Sequence, residues 1–177
     1  LEAQRRIADS FSAGSVDRRR ATAQVIRLEG AEADPERLGE LLNNFRDEFP
    51  NAPELDDLAA TVAAGLLARG DAVGAAAVLE GIEGPRTGVE RAYLLFDAGE
   101  VEEGRRSLLL ALPGLEPSDA TEVIQLVGLM GRLSAEGAEL LAAAGVRAHW
   151  GQPSEAARAL TDGVGSLAQD DHPPILA

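Results

Sequence analysis

Three pairs of adjacent carboxylates, Asp56-Asp57, Glu102-Glu103 and Asp170-Asp171, are the residues of this chain whose type first suits acid–base work. That chemistry needs two groups facing one reacting atom. Neighbours on a helix point away from each other, so none of the pairs makes such a site. A solvated helix face accounts for the first two and a polar tail for the third. The two histidines, His149 and His172, lack the spacing of helical metal ligands, and His149 beside Trp150 reads as packing or a surface pair at a helix end. Ser15, Ser118, Ser134 and Ser154 fall at expected helix starts, where a hydroxyl caps the backbone. No Gly-x-Ser-x-Gly elbow presents a nucleophile. Gly81-Ile82-Glu83-Gly84-Pro85 has no lysine and runs into proline, so it does not cradle a phosphate. The chain has no cysteine, which removes disulfides, zinc–cysteine sites and thiol chemistry. The expectation is a protein that is not an enzyme, with no catalytic residue, no cofactor and no metal.

The elements around these residues are written in helical punctuation. Gly70-Asp71, Gly99-Glu100 and Gly151-Gln152 each stand between two apolar, alanine-rich stretches. A glycine supplies the left-handed residue that ends a helix, and the polar residue after it suits the cap of the next. The composition agrees, being 45% hydrophobic but only 3% aromatic, with 19 glycines. Such a core is built from Ala, Leu and Val brought close together. A chain of 177 residues fits one domain with a real core.

Along the chain, residues 2–13 and 16–29 read as helices, the second capped by Ser15. Asp34-Pro35-Glu36 opens a third, with Leu38, Leu41, Leu42, Phe45 and Phe49 on one face. Helices over 55–67 and 72–79 flank Gly70-Asp71, and helices over 86–98 and 100–112 flank Gly99-Glu100. Glu116-Pro117-Ser118, Ser134-Ala135-Glu136 and Gln152-Pro153-Ser154 each open a further one. The stretch 123–127 has strand propensity, but the surrounding period is near 3.6 and no hairpin partner is nearby. Gly65, Gly74 and Gly128 lie inside helices, where each costs up to about 1 kcal/mol against alanine, so close helix approach is expected there. The fold class expected is all-α, an α-solenoid of antiparallel helix pairs with about nine helices. Residues 1–35 form N-terminal helices, 36–165 the repeats and 166–177 an irregular tail.

These pairs resemble the tetratricopeptide repeat (TPR) family, whose 34-residue unit places small residues where paired helices touch. In 56–82, Ala63 and Ala75 match the small positions, Leu66 and Leu79 the large ones, and Gly70-Asp71 the turn. In 85–117 the counterparts are Ala92 and Gly104, with Leu95 and Leu108; in 137–164 they are Ala144 and Ala156, with Leu160. Phe49-Pro50-Asn51-Ala52-Pro53 resembles the repeat closure of TPR proteins of the bacterial cell envelope. The turn-to-turn spacings of 29 and 52 residues depart from the family, and Ala59, Gly88 and Leu140 replace its large aromatic. The resemblance implies a protein-interaction scaffold gripping a peptide or a neighbouring subunit. The alternative is an extrinsic structural subunit of a membrane-bound envelope complex, serving secretion, outer-membrane assembly, respiration or photosynthesis.

Charge narrows the partners. The net charge of -14 excludes nucleic acid, which needs a basic face. An acidic surface favours basic or amphipathic protein partners. Residues 1–30 carry a net +2 against -16 for the rest, and Arg18-Arg19-Arg20 reads as an exposed basic helix face or a contact for an acidic partner or anionic lipid. The partner-contact candidates are Arg18, Arg19, Arg20, Arg91, Tyr93 and Trp150, with the apolar tail 173–177 as a docking element. No stretch approaches the roughly 20 apolar residues that span a bilayer. The chain opens on Leu1 and not on Met, which predicts a removed segment such as a signal or anchor. The expected location is periplasmic or extracytoplasmic, held to the membrane through partners, with the cytoplasm as the alternative.

Overall fold

Each of the three glycine punctuation marks closes a helix in the same way. In the computed structural model, Gly70, Gly99 and Gly151 have φ of 82°, 81° and 78°, the left-handed region. The residue after each glycine donates its N–H five residues back: Asp71 to Leu66, Glu100 to Leu95, and Gln152 to Arg147, at 3.0, 2.8 and 2.8 Å. The glycine itself donates three residues back, to Leu67, Phe96 and Ala148. These paired bonds form a Schellman motif and satisfy the orphan carbonyls of the helix end. The chain then enters the next helix at once.

The structure describes residues 2–29, 35–165 and 167, with the backbone alone for Pro35 and Glu36. Asp34, expected to cap the third helix, lies outside the described residues, as do Asp170, Asp171, His172 and the tail 173–177. The described residues form ten α-helices and no strand: α1 (Glu2–Ser10), α2 (Val16–Glu29), α3 (Pro35–Glu48), α4 (Leu55–Leu67), α5 (Ala72–Leu79), α6 (Pro85–Asp97), α7 (Val101–Ala111), α8 (Pro117–Met130), α9 (Ala135–His149) and α10 (Pro153–Val164). A single 3-10 turn, Leu112–Gly114, follows α7. The expected first helix is shortened at its end, because residues 13–15 turn through Gly14 at a φ of 71°. The stretch 123–127 is helical, within α8.

The chain divides into two compact units, Leu1–Glu83 and Gly84–Ala177. In the first, α1 packs on α2, α2 on α3 and α4, and α3 and α5 on α4. Its core takes Ile26 from α2, Leu38, Leu42 and Phe45 from α3, Leu58, Val62, Leu66 and Leu67 from α4, and Leu79 from α5. Each such side chain contributes about 1.5–3 kcal/mol on burial. In the second unit α6 packs on α7 and α9, α8 on α7 and α9, and α9 on α10. Its core is lighter: Ala92, Phe96, Leu108, Val123, Met130, Ala142 and Val146.

Small residues sit where helices meet, as expected for Ala63, Ala75, Ala92 and Ala144, all buried. The glycines inside helices behave differently from the expectation. A Cβ on Gly104 would run into the Phe96 ring and stand 2.9 Å from the Ala92 carbonyl, so this glycine permits the approach of α7 to α6. Gly163 meets Leu140 in the same way, across α10 and α9. Gly128 faces open space, and Gly74 makes room for its own helix cap, the Asp71 carboxylate that accepts from the Gly74 N–H at 2.8 Å. Ser15 and Ser134 cap their helices, accepting from Arg18 and Gly137. Ser118 and Ser154 do not: Pro117 and Pro153 take the first helical position, which leaves the cap to Glu116 and Gln152 and carries each serine into the first turn.

Candidate functional site

One face each of α6, α8 and α9 surrounds an open groove of about 620 Å³ in the second unit. Helical periodicity sets its lining. Arg86, Val89, Glu90 and Tyr93 recur along α6 at i, i+3, i+4 and i+7; Asp119, Glu122, Val123 and Leu126 repeat that spacing along α8. Gly145, Ala148 and His149 come from α9, and Leu115 from the segment before α8. The lining carries no Ser, Thr or Cys.

The polar centre of the groove joins α6 to α9. His149 Nε2 lies 3.0 and 3.1 Å from the two Glu90 carboxylate oxygens. An ionised carboxylate only accepts, so this nitrogen carries the proton and donates it. The His149 ring stacks on Tyr93 with centroids 3.8 Å apart and planes within 6°. Tyr93 also meets the Phe96 ring edge-on at 5.8 Å. Burial, and then the negative charges of Glu90 and Glu122, push the Tyr93 phenol up to about 12. It therefore stays protonated and polar without being an acid. Arg86 and Asp119 pair at 3.0 Å across α6 and α8.

The first unit uses its charges otherwise. Glu29, with a side chain only 1% exposed, accepts from Arg5 on α1 and Arg37 on α3, at 2.7 and 3.0 Å. Burial pushes the Glu29 carboxyl up, but the hydrogen bonds and charges of Arg37 and Arg5 prevail and hold it below the ordinary glutamate value. A smaller cavity of about 260 Å³ lies beside this cluster, lined by Arg5, Arg18 and Arg37 together with Asp9, Asn44 and Glu48.

Of the six partner-contact candidates, the structure brings only Tyr93 to the groove. Arg18 pairs with Glu48 at 2.9 Å and Arg19 with Glu54 at 3.1 Å; both are half-buried, and only Arg20 of the run is exposed. Arg91 is half-buried on α6. Trp150 is half-buried and packs against the core of the second unit. Asp57 pairs with Arg27 at 2.9 Å, so this carboxylate is held across α4 and α2. Glu90, Glu122 and His149 are the groove residues that the sequence did not single out as a set. The signal available was the shared i, i+3, i+4, i+7 spacing of charged and apolar residues on α6 and α8.

Among the described residues no group of His, Cys, Asp and Glu is arranged to hold a metal ion. No described helix is long and apolar enough to cross a membrane. In comparisons with protein-family models, curated proteins and solved structures, none matches this chain.

Proposed function

We propose that this protein is a non-catalytic protein-interaction scaffold, a TPR-like series of helix pairs that holds a segment of a partner protein in the groove of α6, α8 and α9. The observation that carries this reading is the lining of that groove. Val89, Leu115, Val123 and Leu126 offer apolar surface, and a few fixed polar groups stand beside it, the composition of a recognition site. A Glu–His pair with no Ser, Thr or Cys in the lining beside it, and a Tyr phenol held protonated, orients a ligand more readily than it attacks one. The three identical glycine closures support the repeat reading, since they make successive helix pairs from one local rule.

A photo-crosslinking residue in place of Leu126 tests this in cells of the source organism. The expected result is a discrete adduct with one protein, lost when Val89→Glu is added while the helical circular dichroism is unchanged. Turnover of a small molecule by the purified chain, abolished by Glu90→Gln, would overturn the scaffold reading.

A second reading is favoured by Leu110 on α7 and Ile124 on α8, which are 77% and 57% exposed. Large apolar side chains left in water mark surfaces that partners cover. They support an extrinsic subunit seated permanently on a larger, membrane-bound assembly. Co-fractionation with membranes that is lost on Leu110→Glu tests it, and a wild-type chain that stays wholly in the supernatant sinks it.

A further inference from the structure

Charged residues from both α6 and α8 are interleaved with the apolar lining of the groove, and their charges do not cancel. Three carboxylates, Glu90, Asp119 and Glu122, stand against one guanidinium, Arg86. Arg86 is taken by Asp119. That leaves Glu90 on α6 and Glu122 on α8, both lining the groove and both close enough to act on the Tyr93 phenol. The Glu90 side chain is only 9% exposed, and the hydrogen bonds described for it come from a single ring nitrogen of His149. A buried carboxylate accepts more than one donor, and an ionised donor gives the stronger bond. Glu122 is exposed and, among the described residues, no hydrogen bond occupies its carboxylate. An anionic ligand would meet repulsion here, and a purely apolar one would strip water from Glu90 without replacing it.

We propose that the groove receives an arginine of an amphipathic partner segment, its guanidinium between Glu90 and Glu122 beside the Tyr93–His149 stack, and its apolar neighbours on Val123 and Leu126. The inference rests on the docking reading above and names the chemistry of what docks. Arginine suits the site better than lysine. Its planar fork reaches two carboxylates at once and lies flat against aromatic rings, while an ammonium is a single hydrated point.

Short labelled peptides of alternating Leu and Arg, Leu and Lys, Leu and Gln, and Leu and Glu test this by fluorescence anisotropy on the full chain. The Tyr93 ring signals, from the only tyrosine in the chain, report by NMR whether the groove is the place of binding. The Leu/Arg peptide should bind and move those signals, the Leu/Lys peptide more weakly, and the Leu/Gln peptide at least about tenfold more weakly. Glu122→Gln should cost the Leu/Arg peptide about tenfold, as should Glu90→Gln where its circular dichroism matches wild type. Glu139→Gln, an equal loss of charge at an exposed position of α9, should cost nothing. A Leu/Gln peptide that binds as tightly as Leu/Arg, with the Tyr93 signals moving, keeps the docking site and overturns the arginine seat. A Leu/Arg peptide that binds the Glu90→Gln/Glu122→Gln variant undiminished, with Tyr93 still, shows nonspecific charge attraction and also overturns it. If no peptide of any charge moves Tyr93, both the seat and the docking reading fall. Free arginine binding as tightly as the peptide would make this a small-molecule site and overturn both the partner segment and the docking reading.

Discussion

The two units solve the same packing problem with opposite materials. The first buries bulk: Phe45, Ile26 and a row of leucines are sealed from solvent, and even its buried charge, Glu29, is closed off by two arginines. In the second, Leu108 and Thr87 are the largest side chains sealed to that degree among the described residues, and contact comes from alanines and from glycines that let helices approach. Its buried carboxyl, Glu90, is met by a single ring nitrogen of His149 and opens onto a groove. The contrast teaches where recognition can live. A unit whose charges answer one another has nothing left to offer a partner, whereas one that leaves a carboxylate half-answered does.

The comparison is broken or sharpened most strongly at Glu29. Replacing both Arg5 and Arg37 by Ala leaves that carboxylate buried without a partner and should cost about 3–5 kcal/mol at neutral pH in a urea titration. Peptide binding at the groove should survive in the folded fraction. A loss under 1 kcal/mol would mean that the first unit does not depend on its internal charge cluster as described.

Overpacking separates the two kinds of helix contact. Ala63→Leu in the first unit and Gly104→Ala in the second should each cost roughly 1–3 kcal/mol in thermal melts. The second is the sharper test. Alanine is the better helix former by about 1 kcal/mol, so a destabilised Gly104→Ala shows that the approach of α7 to Phe96 outweighs propensity. A stabilised variant would place slack in that contact and erase the distinction. Smaller still, Gly99→Ala forces a methyl-bearing residue to a φ of 81° and should cost about 1–2 kcal/mol, although nothing crowds the position.

The gentlest probe is pH, and it separates the units by sign. Glu29 is held below its ordinary value in the folded chain, so its contribution is present above the unfolded glutamate value and fades as pH falls through the folded one. Tyr93 is raised from 10.0 to about 12, so its contribution is complete below about 10 and gone above about 12. Acid should therefore weaken the first unit and alkali the second. Tyr93→Phe should flatten the alkaline side of the stability curve alone, and an unchanged curve would remove the phenol from the account.

What the sequence made legible follows how far apart the interacting residues lie. Gly70, Gly99 and Gly151 were readable because a Schellman closure is settled within six residues. Helix starts at Pro117 and Pro153 were readable for the same reason, although the proline fixed a register one residue away from Ser118 and Ser154. The groove was not legible. Glu90 and His149 are 59 residues apart, and nothing local to either says that their helices touch. The exposed basic face expected of Arg18-Arg19-Arg20 is reduced in the same way: Glu48 and Glu54, at the end of α3 and beyond it, engage two of the three. Gly128 shows the limit of propensity, since a glycine inside a helix marks a close approach only if another helix arrives.

The link between α6 and α9 also orders events in time. A chain leaves the ribosome from its N-terminus, and α1 to α5 find their contacts among neighbours, so the first unit can close once about its own length has emerged. α6 has one partner next door in α7, but its second, α9, arrives more than a full helix pair later. Closing so long a loop carries an entropic cost that only the finished contact repays. Until His149 has been made, Tyr93 and Glu90 stand on an unfinished wall, and of the second unit's helices only α10 is still to come when the groove closes.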